Sequence, residues 1–104
     1  MKILLLGADG QLGWQLRRSL SVLGELTALT RASRPECGDL ANRARLAETV
    51  RALRPDLIVN AAAYTAVDRA EAEPDQAFAI NAHACETLAI EAERIGAWLV
   101  HYST

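Results

Sequence analysis

Three glycines, Gly7, Gly10 and Gly13, follow the apolar run Ile3–Leu6 at a Gly-x-x-Gly-x-x-Gly spacing. After a strand and at the start of a helix, each has its own task. The first permits a tight turn. The second lacks a Cβ, so backbone can approach a diphosphate, and the third lets helix and strand pack closely. The unpaired N–H groups of the helix's first turn then face the anion, and the helix dipole adds to the attraction. The string predicts a dinucleotide-binding turn, because an apolar run precedes it and an amphipathic pattern follows. The structural alternative is an ordinary glycine-rich turn.

Other residues bear on which dinucleotide. The segment Thr30-Arg31-Ala32-Ser33-Arg34 carries no carboxylate where an NAD-type site holds the adenosine ribose. An arginine there pairs with a 2′-phosphate, which a carboxylate would repel. Arg31 is the candidate and NADPH the favoured cofactor, with NADH open; Arg34 reads as a solvated loop charge. Asp39-Leu40 precedes a helix, and Asp39 either contacts adenine's exocyclic amine or caps that helix, roles that are compatible. Asn60-Ala61-Ala62-Ala63-Tyr64 presents three small side chains in succession. They let a flat cofactor lie against backbone, or simply pack. Tyr64 has Asp68, not lysine, four residues on, so it reads as a pocket wall and not a proton donor. Asp68–Glu73 reads as a solvated charged turn or short helix, and Asn81 as a hydrogen-bond partner for a neighbouring strand or loop. At the end of the chain, a hydroxyl of Ser103-Thr104 could bond a substrate carbonyl or the alkoxide formed from it. Cys37 and Cys85 stand in no metal or redox spacing and read as reduced structural thiols. His83 and His101 read as isolated, so no metal site is expected.

Positioning these residues requires alternating strands and helices. Lys2–Leu6 is the first strand. Gln11–Leu23 is a helix with Leu12, Leu16, Leu20 and Leu23 on one face, stopped by Gly24. Glu25–Thr30 is the second strand. Asn42–Arg54 is a helix with Leu46, Val50 and Leu53 in line, ended by Pro55-Asp56. Leu57–Asn60 is the third strand. Pro74 to Ile95 is a long helix with Ile80, Ala84, Leu88, Ala92 and Ile95 as its buried stripe, closed by Gly96. Trp98–Ser103 is the fourth strand. Continuously apolar strands joined through helices predict an α/β fold with a Rossmann-type, doubly wound parallel sheet covered on both faces.

The 104 residues are 51% hydrophobic and 23% charged, with a net charge of −2. That suits one globular domain. Interspersed charges leave no basic face for nucleic acid and no polybasic segment for a membrane. No apolar run approaches the roughly 18 residues of a membrane span, and the N-terminal apolar core is too short for a signal peptide. A cytoplasmic protein is expected. The chain stops where the fourth strand delivers its carboxyl end, the side on which such sheets bind ligands. A truncated part of a longer enzyme is therefore expected, with a stand-alone cofactor-binding module as the weaker reading.

Gly7-Ala8-Asp9-Gly10-Gln11-Leu12-Gly13-Trp14, the block Leu53–Asp68 containing Asn60-Ala61-Ala62-Ala63-Tyr64-Thr65-Ala66-Val67-Asp68, and His101-Tyr102-Ser103-Thr104 together resemble the dTDP-4-dehydrorhamnose reductases, which are extended short-chain dehydrogenase/reductases. The resemblance spans essentially the whole chain. It implies NADPH- or NADH-dependent reduction of the 4-keto group of dTDP-4-dehydro-6-deoxy-L-mannose to dTDP-L-rhamnose, for cell-surface polysaccharide such as lipopolysaccharide O-antigen. It further implies that Gln11-Leu12, Asp39-Leu40 and Ala62-Ala63-Tyr64 contact the cofactor. Thr104 would be the hydroxyl of a Thr/Ser–Tyr–Lys catalytic set and would touch the dTDP-sugar. The family's Tyr-x-x-x-Lys and its sugar-nucleotide domain are absent from these residues, so the 104 residues alone are expected to be inactive. A homodimer and Mg²⁺ belong to the full-length family, and no Mg²⁺ ligand can be placed here. The alternative within this likeness is a non-catalytic, NAD(P)-binding regulatory subunit of the same fold.

Overall fold

The structure, a computed structural model, describes residues 1–62 and 74–102, with side chains from residue 79 onward in the second stretch. The elements alternate as β1 (Lys2–Leu6), α1 (Gln11–Ser21), β2 (Glu25–Leu29), α2 (Arg43–Leu53), β3 (Leu57–Asn60), α3 (Pro74–Ile95) and β4 (Trp98–His101). The four strands form one parallel sheet in the order β2-β1-β3-β4. The chain leaves β1 toward one side of the sheet and later returns to its other side as β3. This is a doubly wound sheet whose winding reverses between β1 and β3, and a crevice opens at that point.

Alternate residues of the same strand face opposite helices. Leu4, Leu6 and Ile58 pack with Leu46 and Val50 of α2 and with Ala84, Leu88 and Ala92 of α3. Ile3, Leu5 and Val59 pack with Leu20 of α1, and Leu12 and Leu16 lie against them. Both faces of β1 and β3 are thereby dry, which is why their sequences are continuously apolar and not alternating. Each fully buried aliphatic side chain contributes about 1.5–3 kcal/mol. Between the two helices of one face, Arg51 Nε and Nη2 donate to Glu91 Oε2 and Oε1 at 2.9 and 2.7 Å. Arg94 adds a 3.5 Å ion pair. The Arg51 hydrogen bonds outweigh burial and hold the Glu91 carboxyl below its ordinary range.

Several boundaries differ from the sequence reading. Helix α1 ends at Ser21, and Leu23, expected on its buried face, lies beyond it and is exposed. Gly24 is needed less as a stop than for contact: a Cβ there would collide with the Met1 carbonyl. β2 ends one residue early because Thr30 enters a turn, its N–H donating to Ser33 Oγ at 2.8 Å. Asp39 is not the cap of α2. That role belongs to Asn42, whose Oδ1 accepts the Arg45 N–H at 3.2 Å, while Asp39 Oδ1 accepts from Ala41 N–H at 3.0 Å. β4 is described to His101, and its Trp98 and Val100 are exposed, unlike the covered strand expected.

Candidate functional site

The strand register sets the site. Leu6 pairs with both Leu29 and Asn60, and Asn60 pairs with His101, so the last residues of all four strands lie in one row. The glycine turn leaves this row at the β1–β3 crevice. Gly7 has φ +77°, and a Cβ there would lie 2.5 Å from Ala62 N. It is glycine for conformation and for contact alike. A Cβ on Gly13 would collide with the Gly7 carbonyl oxygen, so α1 can rest on the turn only through a glycine. Gly10 is different. It caps α1 with φ −74° and ψ 167°, angles open to any residue. Its N–H donates to Gly7 O at 3.2 Å, and its carbonyl accepts from Trp14 N–H at 2.8 Å.

The first-turn amides of Gln11, Leu12 and Gly13 have no acceptor within their helix. Gly10 offers no side-chain cap, and the first turn contains no acidic residue. The first turn of α1 therefore presents unneutralised N–H groups and the positive end of the helix dipole. Gln11 is exposed beside it; Leu12 is half-buried and packs beneath α1. Ala61 is fully buried and Ala62 partly so, and their backbone closes the far wall of the crevice at Gly7. Arg31 is exposed just past the end of β2, where it is free to reach a ligand's outer edge. Asp39 is half-buried. The Leu40 side chain is in the core, so a ligand contact from Leu40 falls to its backbone. Ala63, Tyr64, Asp68, Ser103 and Thr104 lie outside the described residues.

The far end of the row holds what the sequence reading missed. His101 and Cys85 are not isolated: Cys85 Sγ lies 3.6 Å from His101 Nδ1, and Asn60 Nδ2 lies 3.2 Å from the same nitrogen. Asn60 Oδ1 accepts the Ala62 N–H at 3.1 Å. Partial burial pushes the Cys85 thiol up and the His101 imidazole down from their ordinary values, although His101 keeps an exposed side. The available signal was positional: Asn60 and His101 both end strands that pair in parallel. Asn81 Oδ1, by contrast, is buried with no hydrogen-bond partner among the described residues, contrary to expectation. Among those residues there is also no cluster of three or more metal-ligating side chains. No described helix is long and apolar enough to cross a membrane. A shallow groove lined by Met1, Lys2, Glu25, Arg54 and Asp56 lies at the opposite, amino ends of the strands.

Residues 1–104 match the family model described as RmlD substrate binding domain. The dTDP-4-dehydrorhamnose reductase of Salmonella typhimurium is 57% identical over 104 residues, covering 100% of this chain and 35% of the relative. A crystal structure of a hypothetical dTDP-4-dehydrorhamnose reductase from Sulfolobus tokodaii superposes with a TM-score of 0.81 at 38% identity, over 97% of this chain and 38% of that one. The dTDP-4-dehydrorhamnose reductase of Bacillus anthracis in complex with NADP gives 0.78 at 33% identity, over 94% and 34%. The chain spans about a third of the length of the curated relatives it matches.

Proposed function

The chain belongs to the RmlD substrate binding domain family, that of the dTDP-4-dehydrorhamnose reductases, and on that premise we propose that the protein carrying it is such a reductase. It takes dTDP-4-dehydro-6-deoxy-L-mannose to dTDP-L-rhamnose with NADPH, and accepts NADH less well. The product would serve cell-surface polysaccharide, with the enzyme acting as a cytoplasmic homodimer. The observation that carries the reading is the glycine turn itself: Gly7 at φ +77° packed on the Ala61–Ala62 backbone, leading into an α1 whose first turn has no side-chain cap and no acidic residue. Its chemistry fits a dinucleotide diphosphate, and a relative of the same fold is recorded with NADP.

When bound, the dinucleotide supplies the hydride. This chain's residues do the rest of what can be assigned here. The amides of Gln11, Leu12 and Gly13 hold the diphosphate. The Arg31 guanidinium pairs with the 2′-phosphate, and Asp39 meets the adenine edge. The Ala61–Ala62–Ala63 backbone and Tyr64 wall the pocket. Thr104 donates its hydroxyl to the 4-oxygen as negative charge develops there. The Tyr-x-x-x-Lys pair that would deliver the proton is not among these 104 residues. No Mg²⁺ site is found among the described residues, and no step is assigned to one.

The test is to incubate the full-length protein that carries this chain with NADPH and dTDP-4-dehydrorhamnose, following loss of NADPH and formation of dTDP-L-rhamnose by mass. Turnover supports the proposal; a protein that binds NADPH but leaves this substrate untouched refutes it. Thr104→Val should lower kcat about 10²–10³-fold at nearly unchanged cofactor affinity.

A further inference from the structure

The buried Asn60 carboxamide is oriented by its neighbours. Its Oδ1 accepts the Ala62 N–H at 3.1 Å, so Nδ2 is the end turned toward His101 Nδ1, 3.2 Å away. An amide nitrogen has only protons to offer. The Asn60 contact is satisfied only if Nδ1 is the accepting, unprotonated nitrogen, which puts the ring's proton on Nε2; the other tautomer would turn Nδ1–H to Cys85 Sγ and leave Asn60 Nδ2 facing a donor. The Cys85 thiol, 3.6 Å from the same Nδ1, adds a second, weaker donor. A protonated ring would set N–H against N–H and break the contact. The described groups that touch the ring, Asn60 on β3 and Cys85 on α3, carry no charge that could compensate. Burial lowers the His101 pKa and raises that of Cys85, which keeps this arrangement in place.

The same carboxamide grips the turn on its other side. Ala62, held by Asn60 Oδ1, lies against Gly7 at the distance that forbids a Cβ. A continuous path thus runs from His101 through Asn60 and Ala62 to the glycine turn, spanning β4, β3 and β1. From this juxtaposition we infer that His101 is a positioning residue: as a neutral, Nε2-protonated imidazole it holds Asn60, and through Asn60 fixes the end of β4 relative to the dinucleotide turn. Its kinetic consequence rests on the reductase reading, because Ser103 and Thr104 continue from that strand end; the tautomer does not.

Two measurements separate these. Ring ¹⁵N spectra of the protein, with His101 identified by the signal lost in His101→Asn, should show Nδ1 unprotonated and Nε2 protonated, and should stay so below the pH where a free histidine titrates. In the intact reductase, His101→Phe removes the acceptor and should lower kcat about ten- to a hundredfold, the cost of a stranded buried donor, with cofactor affinity changed only a few-fold. His101→Asn offers an oxygen near the Nδ1 position and should restore most of kcat. A ring protonated at Nδ1, or mixed as in free imidazole, overturns the inference. So does a folded His101→Phe with full kcat, or equal losses in His101→Phe and His101→Asn. Wild-type protein with the expected tautomer but no reductase activity refutes the proposed function and leaves the His101–Asn60 pairing standing.

Discussion

The glycine turn at the end of β1 and the end of β4 belong to one row of strand termini, with only β3 between them, yet they are specified in different ways. At the turn, local backbone geometry sets the requirement: Gly7 must adopt φ +77°, and Gly13 must sit on the Gly7 carbonyl. At β4, an ordinary histidine acquires its role only because sheet register sets it beside Asn60, 41 residues away, and α3 brings Cys85 to it. The first kind of site is written in residue type. The second is written in topology, and any strand slip would erase it.

The largest effects should come from breaking the turn. Gly13→Val or Gly7→Val forces a collision with backbone that cannot yield, and should cost about 2–4 kcal/mol, a drop of about 10 °C or more in Tm. A Gly13→Val protein with wild-type Tm would show that α1 does not rest on the turn as described. Next comes the link across β3. Asn60→Leu keeps the volume but leaves the Ala62 N–H without its side-chain acceptor, and should cost about 1–3 kcal/mol in chemical denaturation. If Asn60→Leu is neutral, the two regions are not coupled through that carboxamide.

These two regions also mark what could be read in advance. β1, β3 and α3 were legible to the residue, because each is an uninterrupted apolar run or a long 3.6-residue stripe with a clear stop, Gly96 at φ +72° in the last case. Gly7 and Gly13 were legible because their backbone demands are local. The cap of α2 was not: Asp39 and Asn42 are both good capping residues, and which one takes the role depends on where Leu40 enters the core. His101, Cys85 and Asn60 were read one at a time, since spacings of 16 and 41 residues carry no periodic signal. Only the parallel pairing of Asn60 with His101 puts them together.

Smaller effects sharpen the contrast between a charge proposed to meet the ligand and a structural one. Arg31→Ala should weaken NADPH about tenfold and leave NADH nearly unchanged, as expected for loss of one charge-assisted contact to a phosphate. Equal losses for both cofactors would make Arg31 a surface charge only. Glu91→Gln, at the α2–α3 clamp, should cost about 1–2 kcal/mol and leave the ratio of the two affinities untouched. Acid should act on both regions in the same direction. The lowered His101 pKa means that the unfolded chain binds the extra proton first, so stability is full above the ordinary histidine value near 6.5 and falls as pH drops below it. The lowered Glu91 pKa adds stability above the ordinary glutamate value that is lost as pH falls through the depressed one. Tm measured from pH 7 to 5 should decline, and His101→Asn should flatten that decline.

Gly10 offers the most direct test of the turn as a dinucleotide site, because its backbone angles do not require glycine. Its φ of −74° and ψ of 167° accept a valine without backbone strain. Gly10→Val therefore separates the ligand from the architecture in a way that Gly7 and Gly13 cannot. Titration calorimetry of NADPH into the intact wild-type and Gly10→Val proteins should show binding in the first and none in the second. Undiminished NADPH binding by a folded Gly10→Val protein would contradict the assignment of this turn to a diphosphate.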